Sequence, residues 1–176
     1  MYSSILNKRI AAYWENENTL VEEQNGFRPA RSRDHVFTLT SVIQNCLNSK
    51  EPTFCAFIDL EKALDWINWD LVLHKLLTHG IDGKMYCALK RLLSKTKAKI
   101  ILNEEVSTSW FAVESREKQG DPLSPTLFNI FINDLIQELK AKCDCLNIDS
   151  MDMNVLLYAD DMVLICESVK SVKHIT

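Results

Sequence analysis

The sequence predicts an α+β fold in which a sheet is covered on one face by helices. Three observations carry that expectation. Apolar residues recur at helical spacing through several segments of ten residues or more. Two runs rich in branched and aromatic residues, Thr53–Asp59 and Val155–Ile165, have the character of strands. Clusters of glycine, proline and arginine separate these segments without repeats or low-complexity stretches.

In chain order, Tyr2–Glu15 carries Ile5, Leu6, Ile10 and Tyr13 at helical spacing, and Asp34–Asn48 repeats the pattern with Val36, Leu39, Val42, Ile43 and Leu47 after a good N-cap. Between them Gln24–Asp34 is rich in Gly, Pro and Arg and reads as an ordered loop of a kind that often touches ligands. Thr53–Asp59 reads as a buried strand ending on a carboxylate. Trp69–Leu77 and Lys84–Leu93 read as helices about a turn at Gly80–Gly83. Ala98–Leu102 and Ser109–Val113 read as a hairpin turning at Asn103–Glu105. After a loop over Glu114–Pro122 a long helix runs from Pro125 to about Lys140 with Leu127, Phe128, Ile130, Phe131, Leu135 and Leu139. Val155–Ile165 closes the pattern as a hairpin with Asp160 and Asp161 at its tip.

With 176 residues, 47% of them hydrophobic, the chain has enough apolar surface for a real core, in one domain or a tight pair of subdomains. A net charge of −4 argues against a protein that coats nucleic acid by charge alone. Any basic contact must be local, as in Gln24–Lys50, where Arg28, Arg31, Arg33 and Lys50 face only Asp34. Six cysteines lie scattered, which fits a reducing compartment; Cys143-Asp-Cys145 is the single cluster and a weak metal candidate. No apolar run approaches the ~20 residues of a membrane span, and no signal peptide is expected.

The chemistry is carried by carboxylates. One strand ends at Asp59, and 101 positions later a hairpin tip presents Asp160 and Asp161, so only tertiary folding brings them together. Adjacent acids on an apolar ribbon repel one another and persist where a cation or hydrogen bonds neutralise them. Hard magnesium prefers such oxygen ligands, and two ions about 3.5–4 Å apart would serve phosphoryl transfer, bridged by Asp59 and Asp160 with Asp161 in support. Taken singly, a strand-end Asp is more often a helix cap, and two acids at a hairpin tip are more often an exposed turn.

The order of several motifs narrows the choice. Gln24-Asn-Gly-Phe-Arg28, Phe57-Ile-Asp-Leu-Glu-Lys-Ala63, Lys118-Gln-Gly-Asp-Pro-Leu-Ser-Pro-Thr-Leu-Phe128 and Tyr158-Ala-Asp-Asp161 resemble, in order and approximate spacing, the reverse transcriptases of non-LTR, LINE-type retrotransposons. The resemblance implies the fingers and palm of a right-hand polymerase: residues 1–52 as part of the fingers, and residues 53–176 as the palm, with fingers elements inserted at about 80–115. It implies Asp59, Asp160 and Asp161 as the catalytic and metal-binding acids of two Mg2+ ions, for which Mn2+ can substitute. Gln119 and Gly120 match the turn that lies against the incoming nucleotide, where glycine permits close backbone approach; standing alone, that stretch is simply a good loop before a helix. Arg28 and Arg31 match a basic loop able to neutralise a triphosphate, though surface arginines usually meet solvent or a neighbouring acid. Lys95, Lys97 and Lys99 would share one face if extended, forming either a nucleic-acid phosphate stripe or a solvated edge.

Some positions depart from the pattern. Leu64 stands where the family usually has a Phe or Tyr against the sugar 2′ position, which implies weaker discrimination against ribonucleotides. Arg116-Glu117 replaces a Gly and an aliphatic residue, Arg31–His35 is one residue short, and Trp66 and Trp69 add bulk beside the first acidic strand. The chain ends before the family's primer-gripping strands and thumb, and no endonuclease precedes it, so a fragment with little or no polymerase activity of its own is expected.

The leading expectation is an RNA-directed DNA polymerase domain using an RNA template, a DNA primer and deoxynucleoside triphosphates, without membrane association. A nuclear and cytoplasmic setting follows if it belongs to a retrotransposon. The second reading is a non-catalytic relic retaining the fold and some nucleic-acid affinity. The third is an unrelated helical interaction protein, in which Asp59 and Asp160 would lie far apart.

Overall fold

A computed structural model describes residues 1–29, 31, 33–50, 52–94, 97–102, 105–106, 109–112, 120–142, 146–148, 151–166 and 168. Its main sheet has three antiparallel strands in the order β1 (Phe54–Asp59), β9 (Asp161–Cys166), β8 (Val155–Tyr158). Helices α1 (Tyr2–Asn16), α3 (Trp69–Thr78), α4 (Gly83–Ser94) and α5 (Ser124–Lys142) build the large core with one face of that sheet, while α2 (Asp34–Ser49) packs on the other. The mixed helix and antiparallel-sheet composition agrees with the expected α+β class. Cover on one face only does not hold: Val42 and Cys46 of α2 meet Leu156 and Ile165 across the second face.

α5 is central because most of its first three turns is buried: Leu127, Phe128, Ile130, Ile132 and Ile136 are covered, and so are Asn129 and Asn133. Asn129 Nδ2 donates to the Gly26 carbonyl at 2.9 Å, and Asn133 is bonded through both its amide atoms. Asn133 Oδ1 accepts from the Val21 N–H at 2.9 Å and its Nδ2 donates to the Thr19 carbonyl at 3.3 Å. Lys75 on α3 is buried as well, its Nζ donating to the Ile130 and Phe131 carbonyls at 3.2 and 2.6 Å and pairing with Asp134 at 3.0 Å. A buried ammonium needs such partners, and these pin α3 to α5.

α1 is a helix as expected, but its buried stripe is Leu6, Ile10 and Trp14. Ile5 and Tyr13 point outward because the i, i+4, i+8 line centres one position over. α2 begins at Asp34 behind Arg33, which makes no side-chain capping bond, so the good N-cap is corrected; Val36, Phe37 and Leu47 remain exposed. α3 does have its cap, since Asn68 Oδ1 accepts from the Asp70 and Leu71 N–H groups at 3.1 Å each.

The strand read as buried is an edge strand. Ala56 and Ile58 face the large core, whereas Cys55 and Phe57 are exposed on the α2 side, which one helix cannot cover as far as β1. An apolar run five or six residues long does not distinguish these two situations.

The expected ribbon forms in two pieces. β2 (Lys97–Ala98) pairs with β5 (Phe111–Ala112), and β3 (Ile101–Leu102) pairs with β4 (Glu105–Val106), so Glu105 is strand, not turn. A further short pair, β6 (Leu146–Ile148) with β7 (Met151–Met153), had no expectation attached to it.

Candidate active site

The strand ladder converts the 101-residue separation into direct opposition: Asp59, the last residue of β1, pairs with Asp161, the first of β9. Asp160 lies beside them in the turn, and its carbonyl accepts from the Leu60 N–H at 3.3 Å. All three carboxylates are exposed at one end of the sheet. Directly opposed residues stand with Cβ atoms about 4.5–5.5 Å apart, and like charges so placed are destabilising. Exposure to solvent screens that repulsion, and among the described residues no three His, Cys, Asp or Glu groups are clustered tightly enough to hold an ion. What the backbone supplies is an all-oxygen donor set within one side-chain reach, the chemistry suited to a hard divalent cation.

The turn is tight. Tyr158 pairs with Asp161, leaving Ala159 and Asp160 as a two-residue loop. Ala159 takes φ +59°, the left-handed shape such loops need at a position usually occupied by Gly or Asn. It is held there by the loop that follows α1. Gln24 Oε1 accepts from the Ala159 N–H at 3.2 Å, and Gln24 Nε2 donates to the Ala159 carbonyl at 3.3 Å. The Asn25 N–H donates to the Leu157 carbonyl at 3.0 Å, and the Leu157 N–H to the Glu23 carbonyl at 2.8 Å, giving β8 a short parallel partner. His35 of α2 joins the same backbone through Nε2, which reaches the Glu23 and Leu157 carbonyls at 2.8 and 3.0 Å.

The basic residues divide. Arg28 is buried, with Nε and Nη2 on the two Glu15 oxygens at 2.7 and 2.8 Å, and Nη1 on the Val21 and Gln24 carbonyls at 2.8 and 3.0 Å. That bidentate pair holds the Glu15 carboxyl below its usual value, hydrogen bonding to Arg28 outweighing desolvation. Arg28 is thus committed to structure, and its geometry does not support the triphosphate role expected of it. Arg31 is partly exposed and pairs with Glu22, whose carboxyl is lowered chiefly by that hydrogen bond. A bound phosphate would have to compete with Glu22 for it.

Leu64 sits in a short 3₁₀ turn, Ala63–Trp66, and packs partly into the core. Its neighbours Ala63 and Trp66 line a cleft of about 560 Å³ beside Asp59, closed on the far side by Phe131, Leu135 and Glu138 of α5. Of the added tryptophans, Trp69 is buried and Trp66 is 77% exposed. Gly120 is exposed with φ +82°, a backbone shape that glycine adopts without strain. Gln119, Lys95, Arg116, Glu117, Cys143 and Cys145 lie outside the described residues. Lys97 is exposed on β2, and Lys99 lies over the Trp110 ring at 5.1 Å.

Gln24, Gly26 and Asn129 were not expected at the site. In the motif around Gly26 the charged Arg28 is the residue whose type suggests a ligand, and no local pattern marks a buried amide for a turn 135 residues away.

Comparison with known proteins agrees with the geometry. Residues 1–176 match the family described as reverse transcriptase (RNA-dependent DNA polymerase). Among curated proteins the chain is 28% identical over 109 residues, 61% of its length, to the retrovirus-related Pol polyprotein from type-1 retrotransposable element R2 of Popillia japonica, covering 18% of that protein. It is 25% identical over 164 residues, 93% of its length, to the Pol polyprotein from type-2 retrotransposable element R2DM of Drosophila melanogaster, covering 15%. The transposon TX1 uncharacterized 149 kDa protein of Xenopus laevis shares 23% over 138 residues, 77% of this chain and 10% of that protein. The chain therefore spans less than a fifth of the length of these relatives.

Proposed function

The chain belongs to the reverse transcriptase (RNA-dependent DNA polymerase) family, and from that premise we propose that it performs, or contributes the acidic centre to, template-directed nucleotidyl transfer: a primer 3′-hydroxyl attacks the α-phosphate of a deoxynucleoside triphosphate paired with an RNA template, its proton passes to solvent, and the α–β bond breaks to release pyrophosphate. The observation that carries this reading is the direct opposition of Asp59 and Asp161 beside Asp160. In this reading residues 1–52 are the fingers portion and residues 53–176 the palm, with fingers elements inserted at about 80–115.

Two divalent ions, Mg2+ or Mn2+, would be held by Asp59, Asp160 and Asp161, and when bound they supply charge neutralisation at the triphosphate and activation of the attacking hydroxyl. The chain's own contribution is position. β1 and β9 bring the acids to one sheet end, and the Ala159–Asp160 turn fixes how they are presented. Gly120, with Gln119 before it, would lie against the nascent base pair. Leu64 would neighbour the sugar, so Leu64→Phe is expected to lower ribonucleotide incorporation relative to the parent chain. Arg31, released from Glu22, would serve the triphosphate. Lys97 and Lys99, with Lys95, would follow the nucleic-acid backbone.

The deciding experiment is primer extension on an RNA template with Mg2+ or Mn2+, using this chain and a version lengthened by a family thumb. Incorporation abolished by Asp160→Asn supports catalysis. A lengthened chain that binds primed template but never extends it would mark a relic.

A further inference from the structure

We propose that the Gln24 carboxamide is a positioning group for the acidic turn: it sets the backbone shape of Ala159–Asp160 and thereby the direction in which Asp160 and Asp161 present their carboxylates. The inference rests on the metal-site reading above for its purpose, and on hydrogen-bond geometry for its substance.

One side chain engages both polar groups of the Ala159 residue, accepting from its N–H at 3.2 Å and donating to its carbonyl at 3.3 Å. Ala159 occupies the left-handed region, which residues with a Cβ seldom enter without support. Gln24 is 1% exposed and is itself oriented: its Oε1 also accepts from the Gly26 N–H at 2.8 Å, and the Gly26 carbonyl accepts from Asn129 Nδ2 of α5 at 2.9 Å. Gly26 lies so close to the turn that an added Cβ would stand 2.0 Å from the Ala159 nitrogen. The loop backbone therefore rests directly on the hairpin, which explains why glycine follows two residues after the glutamine.

The chemistry requires an amide. Two N–H groups must be accepted and one carbonyl donated to, and the carboxamide of Gln or Asn offers an acceptor with two lone pairs and a donor side by side on one neutral group. A leucine of similar volume offers neither the acceptor nor the donor and adds no charge beside Asp160. The strand pairing of Glu23 and Asn25 with Leu157 uses backbone atoms alone, so it survives replacement of Gln24. This separates positioning of the turn from general stability.

The test is native-state amide hydrogen exchange by NMR on the 176-residue chain, together with Mn2+ titration read as paramagnetic broadening of the Asp160 and Asp161 amides. In the wild type the Ala159 amide is expected to be protected. In Gln24→Leu it should exchange about tenfold faster, the scale of one lost hydrogen bond, while Leu157 keeps its protection and half-maximal broadening needs several-fold more Mn2+. Adding Ala159→Gly should restore the Mn2+ response, because glycine holds this backbone shape unaided. Unchanged Ala159 exchange in Gln24→Leu overturns the proposal, as does an unprotected Ala159 amide in the wild type, a result independent of whether any variant folds. Wild-type chain that shows no Mn2+ broadening defeats the metal-site reading instead, and Ala159 exchange still decides the role of Gln24.

Discussion

At the scale of single residues, the Arg28–Glu15 pair shows how burial redirects a charged group. With a side chain only 4% exposed, Arg28 would leave Glu15 and two backbone carbonyls without a strong donor if truncated. Removal of one partner of a buried pair typically costs about 3–5 kcal/mol. Arg28→Ala is therefore expected to lower the urea midpoint markedly, whatever it does to nucleotide binding. The pair also has a pH signature. Glu15 is held below its unfolded value of 4.5, so its stabilising contribution is complete above 4.5 and is lost as pH falls below that value through the depressed folded one. Glu15→Gln should flatten this acid limb in urea titrations between neutral pH and pH about 3; an unchanged limb would assign the acid sensitivity to other carboxylates. Gly26→Ala is a third test. Its new Cβ meets backbone, which cannot rotate away, so a loss of about 3 kcal/mol or more is expected in chemical denaturation.

At the scale of elements, α5 and the loop after α1 determine where the acidic hairpin sits. Asn129 and Asn133 on α5 bond to Gly26, Thr19 and Val21, so one helix fixes both ends of that loop. Asn133→Ala leaves a half-buried N–H and a carbonyl without their side-chain partner and should cost about 1 kcal/mol, with faster exchange at the Val21 amide as its local mark. Unaltered Val21 exchange would show that the bond contributes little. Helix α1 is anchored differently, by the fully buried Trp14.

At the scale of the whole molecule, the proposed metal site predicts that stability depends on divalent cations. A ligand bound only to the folded state at ten times its Kd adds about 1.4 kcal/mol. Mn2+ is accordingly expected to raise the melting temperature of the wild type but not of Asp59→Asn or Asp160→Asn. An equal rise in all three would place the bound ion elsewhere.

Much was legible in the linear chain because local physics writes it there. Helical spacing marked α1 to α5, branched and aromatic runs marked β1 and the β8–β9 hairpin, and the order of acidic and Gln-Gly motifs pointed to the family that the whole-chain match then established. What the chain could not show depends on neighbours distant in sequence. Whether Phe57 is covered, whether Arg28 meets a phosphate or Glu15, and which amide holds Ala159 are all decided by packing partners more than ten residues away. Periodicity reports a residue's own preference for a face, whereas burial and hydrogen-bond partnership are properties of the assembled fold. The three carboxylates were named by their sequence, but only the register of β1 against β9 made them neighbours.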